Sequence, residues 1–310
     1  MKIGVVGAGA IGLTLAAVLA KTHDVLVLAH RAATAELLAR DGISIADETE
    51  VKHVPIHATT DPARFADRDA VLVAVKAYAT AEALAPLRGV LPAHALVASV
   101  QNGIDNVALA RAALPENRVI AGSTMQGAVA LGEGRVRVVN RGATTFARDD
   151  QTTPTSFDLA HAFVAAGLAA RVADDVDAVL WRKLVVNAAL NPLGALAART
   201  NGAVATDRDL APLAQILAAE AAGVAAAEGF DLDDPWETVE AAARASAANR
   251  NSMLQDLDAG RPTEIDAISG AILRRARAHG IAVPLTETVL RLVRGRERSA
   301  LKGGGRGDQP

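Results

Sequence analysis

Three polar side chains stand at regular spacing in an otherwise apolar run, Leu180 to Pro192 (LWRKLVVNAALNP): Lys183, Asn187 and Asn191. At steps of four residues they fall one above another on a single face of an α-helix. A solvated helix carries charge all round its outer side, whereas a narrow polar stripe flanked by Leu, Val and Ala is the pattern of a helix lining a polar cleft. An ammonium group there offers positive charge and a proton, and the carboxamides offer neutral donors and acceptors. That set suits a reaction in which negative charge develops on an oxygen and is then protonated. Read alone, the stripe equally fits a half-buried helix whose Lys183 reaches solvent and whose asparagines bond a neighbouring loop.

Other stretches shift the balance. The chain opens with a β-rich run, Lys2 to Val6, followed at once by Gly7-Ala8-Gly9-Ala10-Ile11-Gly12 and an apolar-periodic segment, Leu13 to Lys21. Strand, glycine turn and helix in that order are what a dinucleotide fold requires. Gly7 permits the tight turn, Gly9 lets backbone N–H groups approach a pyrophosphate, and Gly12 lets the helix pack close to the strand, while the helix N-terminus supplies a field that favours phosphate. A second strand, Asp24–Leu28, ends in Ala29-His30-Arg31. An acidic residue at that place suits a free ribose 2′-OH, whereas Arg31 suits a 2′-phosphate, so NADPH/NADP is preferred over NADH.

Those residues need a scaffold. Ala70 to Val75 and Ala95 to Ser99 are continuous apolar strands separated by helical segments, the mark of a parallel sheet covered on both faces. Lys76 follows the first and Gln101-Asn102-Gly103 the second, at the carboxyl edge where such sheets bind ligands. Ser123 to Ala130, Arg135 to Asn140 and Ala143 to Phe146 are expected as an antiparallel extension of that sheet, then a helix from Thr155 to Gly167 and a last strand at Ala170–Ala173. After Asp174 the pattern changes to long Ala- and Leu-rich helices. The expected domains are therefore 1–174 (nucleotide-binding), 175–298 (helical, catalytic) and a flexible glycine-rich tail, 299–310. In the helical half, Leu210 to Glu228 is one helix, and Asp234-Pro235 starts another that runs toward Asn249, Ser252 and Gln255. Glu264 is expected at the head of a further helix ending near His279-Gly280.

Composition bounds the alternatives. With 310 residues, 51% hydrophobic and 22% charged, the chain is of globular type and long enough for two cores. A net charge of -3 without a long basic run argues against nucleic acid as a partner and leaves small anions open. The absence of cysteine removes disulfides and thiolate chemistry, and seven scattered histidines form no ligand-like pair, so no metal is expected. No apolar run of about 18–20 residues is read, and Lys2 enters a strand without a leader pattern, so the expected location is cytoplasmic with no membrane partner. The alanine-rich helices fit a monomer or a homodimer.

The chain resembles the ketopantoate reductase (2-dehydropantoate 2-reductase) family over nearly its whole length. The resemblance rests on GAGAIG at 7–12, Lys76, QNG at 101–103, LWRKLVVNAALNPL at 180–193, Asn201-Gly202, SMLQDLDAGRPTEID at 252–266 and LRRARAHGIAVP at 273–284. It implies an α/β N-terminal Rossmann-type dinucleotide-binding domain and an all-α C-terminal domain similar to that of 6-phosphogluconate dehydrogenase. It implies NADPH-dependent reduction of a small 2-keto acid, 2-dehydropantoate, to pantoate on the way to pantothenate and coenzyme A. By position, Lys183 resembles the proton donor, and Asn187, Asn191, Asn201, Asn249 and Ser252 resemble substrate contacts. Asn102 resembles a contact to both cofactor and substrate, and Ala128 a backbone contact to the cofactor. Glu264 resembles a residue near the nicotinamide ribose that also influences turnover. The alternatives are a paralogous reductase of another branched 2-keto acid and a non-catalytic NADPH-binding protein.

Overall fold

The computed structural model describes residues 1–47 and 50–303. The chain folds as two compact units, one of Met1–Gln101 with Asp105–Val176, the other of Asn102–Ile104 with the residues from Asp177 on. In the first unit the order is β1 (Lys2–Val6), α1 (Ala10–Leu19), β2 (Asp24–Leu28), α2 (Ala32–Asp41), β3 (Ile43–Ala46), β4 (Val51–Val54), β5 (His57–Thr59), β6 (Ala70–Val73), α3 (Thr80–Leu84) and β7 (Leu96–Ser99). It continues with α4 (Asn106–Ala113), β8 (Arg118–Thr124), β9 (Gly127–Ala130), β10 (Arg135–Asn140), β11 (Thr144–Ala147), α5 (Ser156–Ala165) and β12 (Ala170–Ala173).

Eight strands form the main sheet in the order β12-β11-β8-β7-β6-β1-β2-β5. Every pairing in it is parallel except β11 with β8. Central strands β6 and β7 are buried along their whole length, which is why their sequences are apolar without alternation. One face packs on Leu13, Leu15, Leu159 and Phe163, the other on Phe65, Leu84 and Leu87. The sheet is thus the doubly covered, Rossmann-type layer expected.

The expected antiparallel extension is only partly right. β8 is parallel to β7, and β11 alone extends the main sheet antiparallel. β9 and β10 belong to a separate four-stranded sheet, β4-β3-β10-β9. The reason lies in the pattern of β10: in RVRVVN, Val136 and Val138 are buried and their neighbours exposed, an alternation suited to a sheet with one wet face. Its partners β3 and β4 escaped the sequence reading, since ISIA and VKHV are short, with little apolar signal in VKHV.

The second unit holds α6 (Val176–Ala197), α7 (Asn201–Thr206), α8 (Leu210–Ala227), α9 (Pro235–Ala245), α10 (Ser252–Asp258), α11 (Ser269–Ala278) and α12 (Pro284–Gly303) around a core that includes Trp181, Leu184, Leu217, Val224, Leu254, Ile272 and Val293. Four features here go beyond or against the sequence pattern. First, α6 continues through Pro192 to Ala197, so the proline removes one backbone donor without ending the helix. Second, α9 stops at Ala245 and Asn249 lies in a loop, because the carbonyls of Ala247 and Asn249 accept from the N–H groups of Gly202 and Asn201 at the start of α7.

Third, Glu264 is in a turn ahead of α11, its carbonyl accepting from Ala267 and Ile268, so it is not a first-turn carboxylate. Fourth, α12 carries helix through Gly303 across the start of the expected tail, while 304–310 lie outside the described residues. In addition α8 is 18 residues long with a mean hydropathy of 1.5, long and apolar enough by composition to span a membrane, contrary to the sequence reading. Its Ala214, Leu217, Ala218, Ala221, Val224 and Ala225, a third of the helix, are buried in the second core.

Candidate active site

In the first unit the shape of the glycine turn requires glycine at two positions, Gly7 and Gly12. Gly7 has φ +118°, and its N–H donates to the Leu28 carbonyl at 3.1 Å, tying the turn to the end of β2. A Cβ on Gly12 would lie 2.0 Å from the Gly7 oxygen, whereas a Cβ on Gly9 would meet nothing within 4 Å. Gly12 is therefore spent on internal packing. Gly9, the N-cap of α1, fronts open space into which side-chain atoms would project. Ala8 and Ala10 flank it with minimal bulk and Ile11 is half-buried, so the N–H groups opening α1 face a cradle that fits a pyrophosphate.

Arg31 caps α2 three residues beyond β2, and its guanidinium is ion-paired with Glu133. Lys76 opens a 3₁₀ turn, Ala77–Ala79, after β6. Buried Gln101 fixes that edge: its Nε2 donates to the Val75 carbonyl at 2.9 Å and to Thr80 Oγ1 at 2.7 Å, while Ser99 Oγ donates to its Oε1 at 3.0 Å. Ala128 sits on β9, in the smaller sheet and packed along α1.

In the second unit Lys183, Asn187 and Asn191 share α6 as their spacing predicts. Lys183 is half-buried, and desolvation pushes its ammonium down from the ordinary lysine value to about 8, against the opposing attraction of Glu264. Glu264 is buried, at 6% exposure, and its Oε2 accepts from Asn102 Nδ2 at 2.9 Å. Asn102, expected at the sheet edge with Gln101, belongs by its contacts to this unit. Here Gly103 has φ +95°, and a Cβ on it would lie 2.8 Å from the Ala267 carbonyl, so the segment crosses the Glu264 turn at a distance only glycine permits. Cation, carboxylate and carboxamide from three separate stretches thus form one electrostatic group.

A second cluster lies beyond the far end of the stripe. Asn191 is 6% exposed. One turn on, Gly194 leaves room for Asn251, whose Nδ2 would lie 2.4 Å from a Cβ there. Asn251 caps α10 by accepting from the Leu254 N–H at 3.0 Å, which seats Ser252 as the first residue of that helix beside α6. Asn201, 7% exposed, donates from Nδ2 to Ser246 Oγ at 2.9 Å, and its N–H donates to the Asn249 carbonyl at 3.0 Å. The structure therefore gathers Lys183, Glu264 and Asn102 into one group and brings Asn201, Asn249 and Ser252 along the loop that abuts α6 at Gly194, while Asn187 and Asn191 stand on α6 itself. The sequence reading missed Gly194, Asn251 and the bracing role of Gln101. A glycine inside a helix, where it costs about 1 kcal/mol against alanine, was the available signal for the first.

A model of the family described as Ketopantoate reductase PanE/ApbA matches residues 3–151, and that of its C-terminal domain matches 175–297. The chain belongs to the ketopantoate reductase family. The 2-dehydropantoate 2-reductase of Halobacterium salinarum is 33% identical over 298 residues, covering 95% of this chain and 98% of that protein. The enzyme of that name from Archaeoglobus fulgidus is also 33% identical, covering 96% and 98%. A solved ketopantoate reductase of the same family from Ralstonia eutropha superposes with a TM-score of 0.89 at 31% identity, covering 97% of this chain and 99% of that one. A D-mandelate dehydrogenase structure with NADH and anilino(oxo)acetate shares the fold, with a TM-score of 0.90 at 24% identity over 97% and 99% of the two chains. This member of the ketopantoate reductase family is accordingly an oxidoreductase with a nicotinamide-type nucleotide fold in its first unit and the family's all-α domain in its second.

Proposed function

We propose that the chain is a cytoplasmic NADPH-dependent 2-dehydropantoate 2-reductase, converting ketopantoate to (R)-pantoate in pantothenate and coenzyme A biosynthesis. The observation that carries this reading is the half-buried Lys183 on the polar stripe of α6, with its ammonium lowered to about 8 and Glu264 and Asn102 grouped beside it. Gly7 to Gly12 hold the pyrophosphate on backbone N–H groups, with Ala8, Ala10 and Ile11 leaving it room. Arg31 and Lys76 meet the 2′-phosphate and neighbouring anionic groups, and the Ala128 backbone contacts the cofactor. When bound, reduced nicotinamide supplies hydride to the C2 carbon of the keto acid.

The chain's own residues manage the oxygen and the proton. Lys183 sets a positive charge against the carbonyl oxygen, where negative charge grows in the transition state, and then releases a proton to it. An ordinary lysine near 10.4 is a reluctant donor at neutral pH, and lowering to about 8 leaves the group mostly charged yet much more acidic. Glu264 moderates that shift and positions Asn102. Asn187, Asn191, Asn201, Asn249 and Ser252 supply neutral hydrogen bonds for the carboxylate and hydroxyl of the acid, which leaves the cation for the ketone.

The test is oxidation of NADPH by the purified chain with ketopantoate and, side by side, 2-ketoisovalerate. The reading expects ketopantoate to be favoured in kcat/KM by about tenfold or more, the discrimination a few added polar contacts give. Equal or reversed preference moves the assignment to another branched 2-keto acid. Absence of turnover with both leaves a non-catalytic nucleotide-binding protein.

A further inference from the structure

The ion pair at the end of β2 has a consequence for which nucleotide the chain takes. Arg31 stands where a residue beyond the second strand meets the ribose 2′ position, and its guanidinium is already engaged by the Glu133 carboxylate. Glu133 comes from the connection between β9 and β10, in the smaller sheet, 102 residues away in sequence. That connection is braced against the helix Arg31 caps. Gly134, at φ +67°, lies so close to α2 that a Cβ on it would fall 2.6 Å from Leu37 Cδ2. Its carbonyl accepts from the Ser44 N–H at 2.8 Å, which ties the same turn to β3. The turn that carries Glu133 is therefore fixed beside α2, with its carboxylate within reach of the guanidinium. Both partners remain open to solvent, with side-chain exposures of 65% for Arg31 and 39% for Glu133, so a ligand can reach them.

We propose that Glu133 is a specificity-determining residue that lowers the chain's preference for a 2′-phosphorylated nicotinamide dinucleotide over its 2′-hydroxyl counterpart. A 2′-phosphate must displace the carboxylate from Arg31 or share the guanidinium with it at the expense of like-charge repulsion. A ribose 2′-hydroxyl can instead donate a hydrogen bond to that carboxylate, as an acidic residue at this place ordinarily accepts. Arg31 alone favours NADPH; Arg31 with Glu133 makes a site that tolerates both.

The inference rests on the reading of Arg31 as the 2′-phosphate contact, and the experiment separates the two. Dissociation constants for NADPH and NADH are measured by calorimetry on the wild-type chain, Arg31→Ala, Glu133→Gln and the double variant. Glu133→Gln is expected to raise the ratio of the NADH to the NADPH constant about two- to fivefold, the effect of releasing one exposed ion pair. In the Arg31→Ala background the ratio is expected to move in the same direction, by the carboxylate's own repulsion of a 2′-phosphate and its hydrogen bond to a 2′-hydroxyl alone. Loss of NADPH affinity in Arg31→Ala with an unmoved ratio in Glu133→Gln overturns the role of Glu133 alone. An Arg31→Ala variant that binds NADPH as tightly as wild type overturns the reading of Arg31 and this inference together.

Discussion

The glycine turn of the first unit and the polar stripe of the second are built on opposite plans. The turn is contiguous: the six residues proposed to hold the cofactor, Gly7 to Gly12, offer backbone alone, and their side chains matter through what they lack. The stripe is composite. Lys183 comes from α6, Glu264 from a turn ahead of α11 and Asn102 from the three-residue segment after Gln101, and the desolvation that tunes the ammonium is a property of the assembled unit. Binding a common dinucleotide needs only a fixed backbone and a helix terminus. Proton transfer to one substrate atom needs a cation whose acidity is set by neighbours that no local sequence determines.

If the two regions divide the work in this way, substitutions in each should fail differently. Lys183→Ala should lower kcat about a thousandfold or more, roughly 4 kcal/mol of transition-state stabilisation, while NADPH affinity stays within about twofold. Loss of both together would mean the stripe also builds the cofactor site. Within the turn, Gly9→Ala should weaken NADPH binding about tenfold or more yet lower the thermal midpoint only slightly, by the poorer N-cap, because its Cβ meets nothing in the free chain. Gly12→Ala should instead destabilise the fold by about 1–3 kcal/mol through overlap with the Gly7 carbonyl, seen as a lowered denaturant midpoint. A pair of variants with the same profile would contradict the distinction between the glycine that faces the ligand and the glycine that packs.

The smallest effect sharpens the second region. The helix that carries the stripe ends at Ala197, and Ala198 takes φ +54° while the Arg199 N–H donates to the Gly194 carbonyl at 3.0 Å, the closing bond of a left-handed C-cap. Glycine is the residue that adopts this conformation without strain. Ala198→Gly is expected to stabilise the chain by about 1 kcal/mol, measured by urea unfolding, with turnover unchanged.

How much could be read without coordinates follows the same division. The strands Lys2–Val6, Asp24–Leu28 and Ala170–Ala173, and the Asp234-Pro235 helix start, stand where local pattern puts them, since apolar runs, glycine and capping chemistry act over a few residues. The smaller sheet was not legible: β3 and β4 are four residues each, and the pairing of β10 with β3 spans some ninety residues of chain. At the site, residue types and the α6 spacing were visible. Hidden were the breaks in the helical pattern at Asn249 and Glu264, each set by tertiary hydrogen bonds: from the start of α7 in one case, and in the other through Thr263, whose N–H and hydroxyl donate to Glu297 Oε1 of α12. Gly194 and Asn251 matter only because α10 lies against α6.

In the proposed reaction a desolvated Lys183 ammonium delivers the proton. Its folded value lies below that of an ordinary lysine, so the charged donor dominates below about 8 and is lost as pH rises through that value. The direct measurement is the pH dependence of kcat for NADPH oxidation with ketopantoate, in the wild-type chain and in Lys183→Arg. The wild-type rate is expected to be level at neutral pH and to fall tenfold per pH unit above about 8, and the much slower Lys183→Arg enzyme to lack that limb, since guanidinium does not titrate there. A wild-type profile flat well beyond that pH, or the same limb in Lys183→Arg, would contradict the proposed role of Lys183.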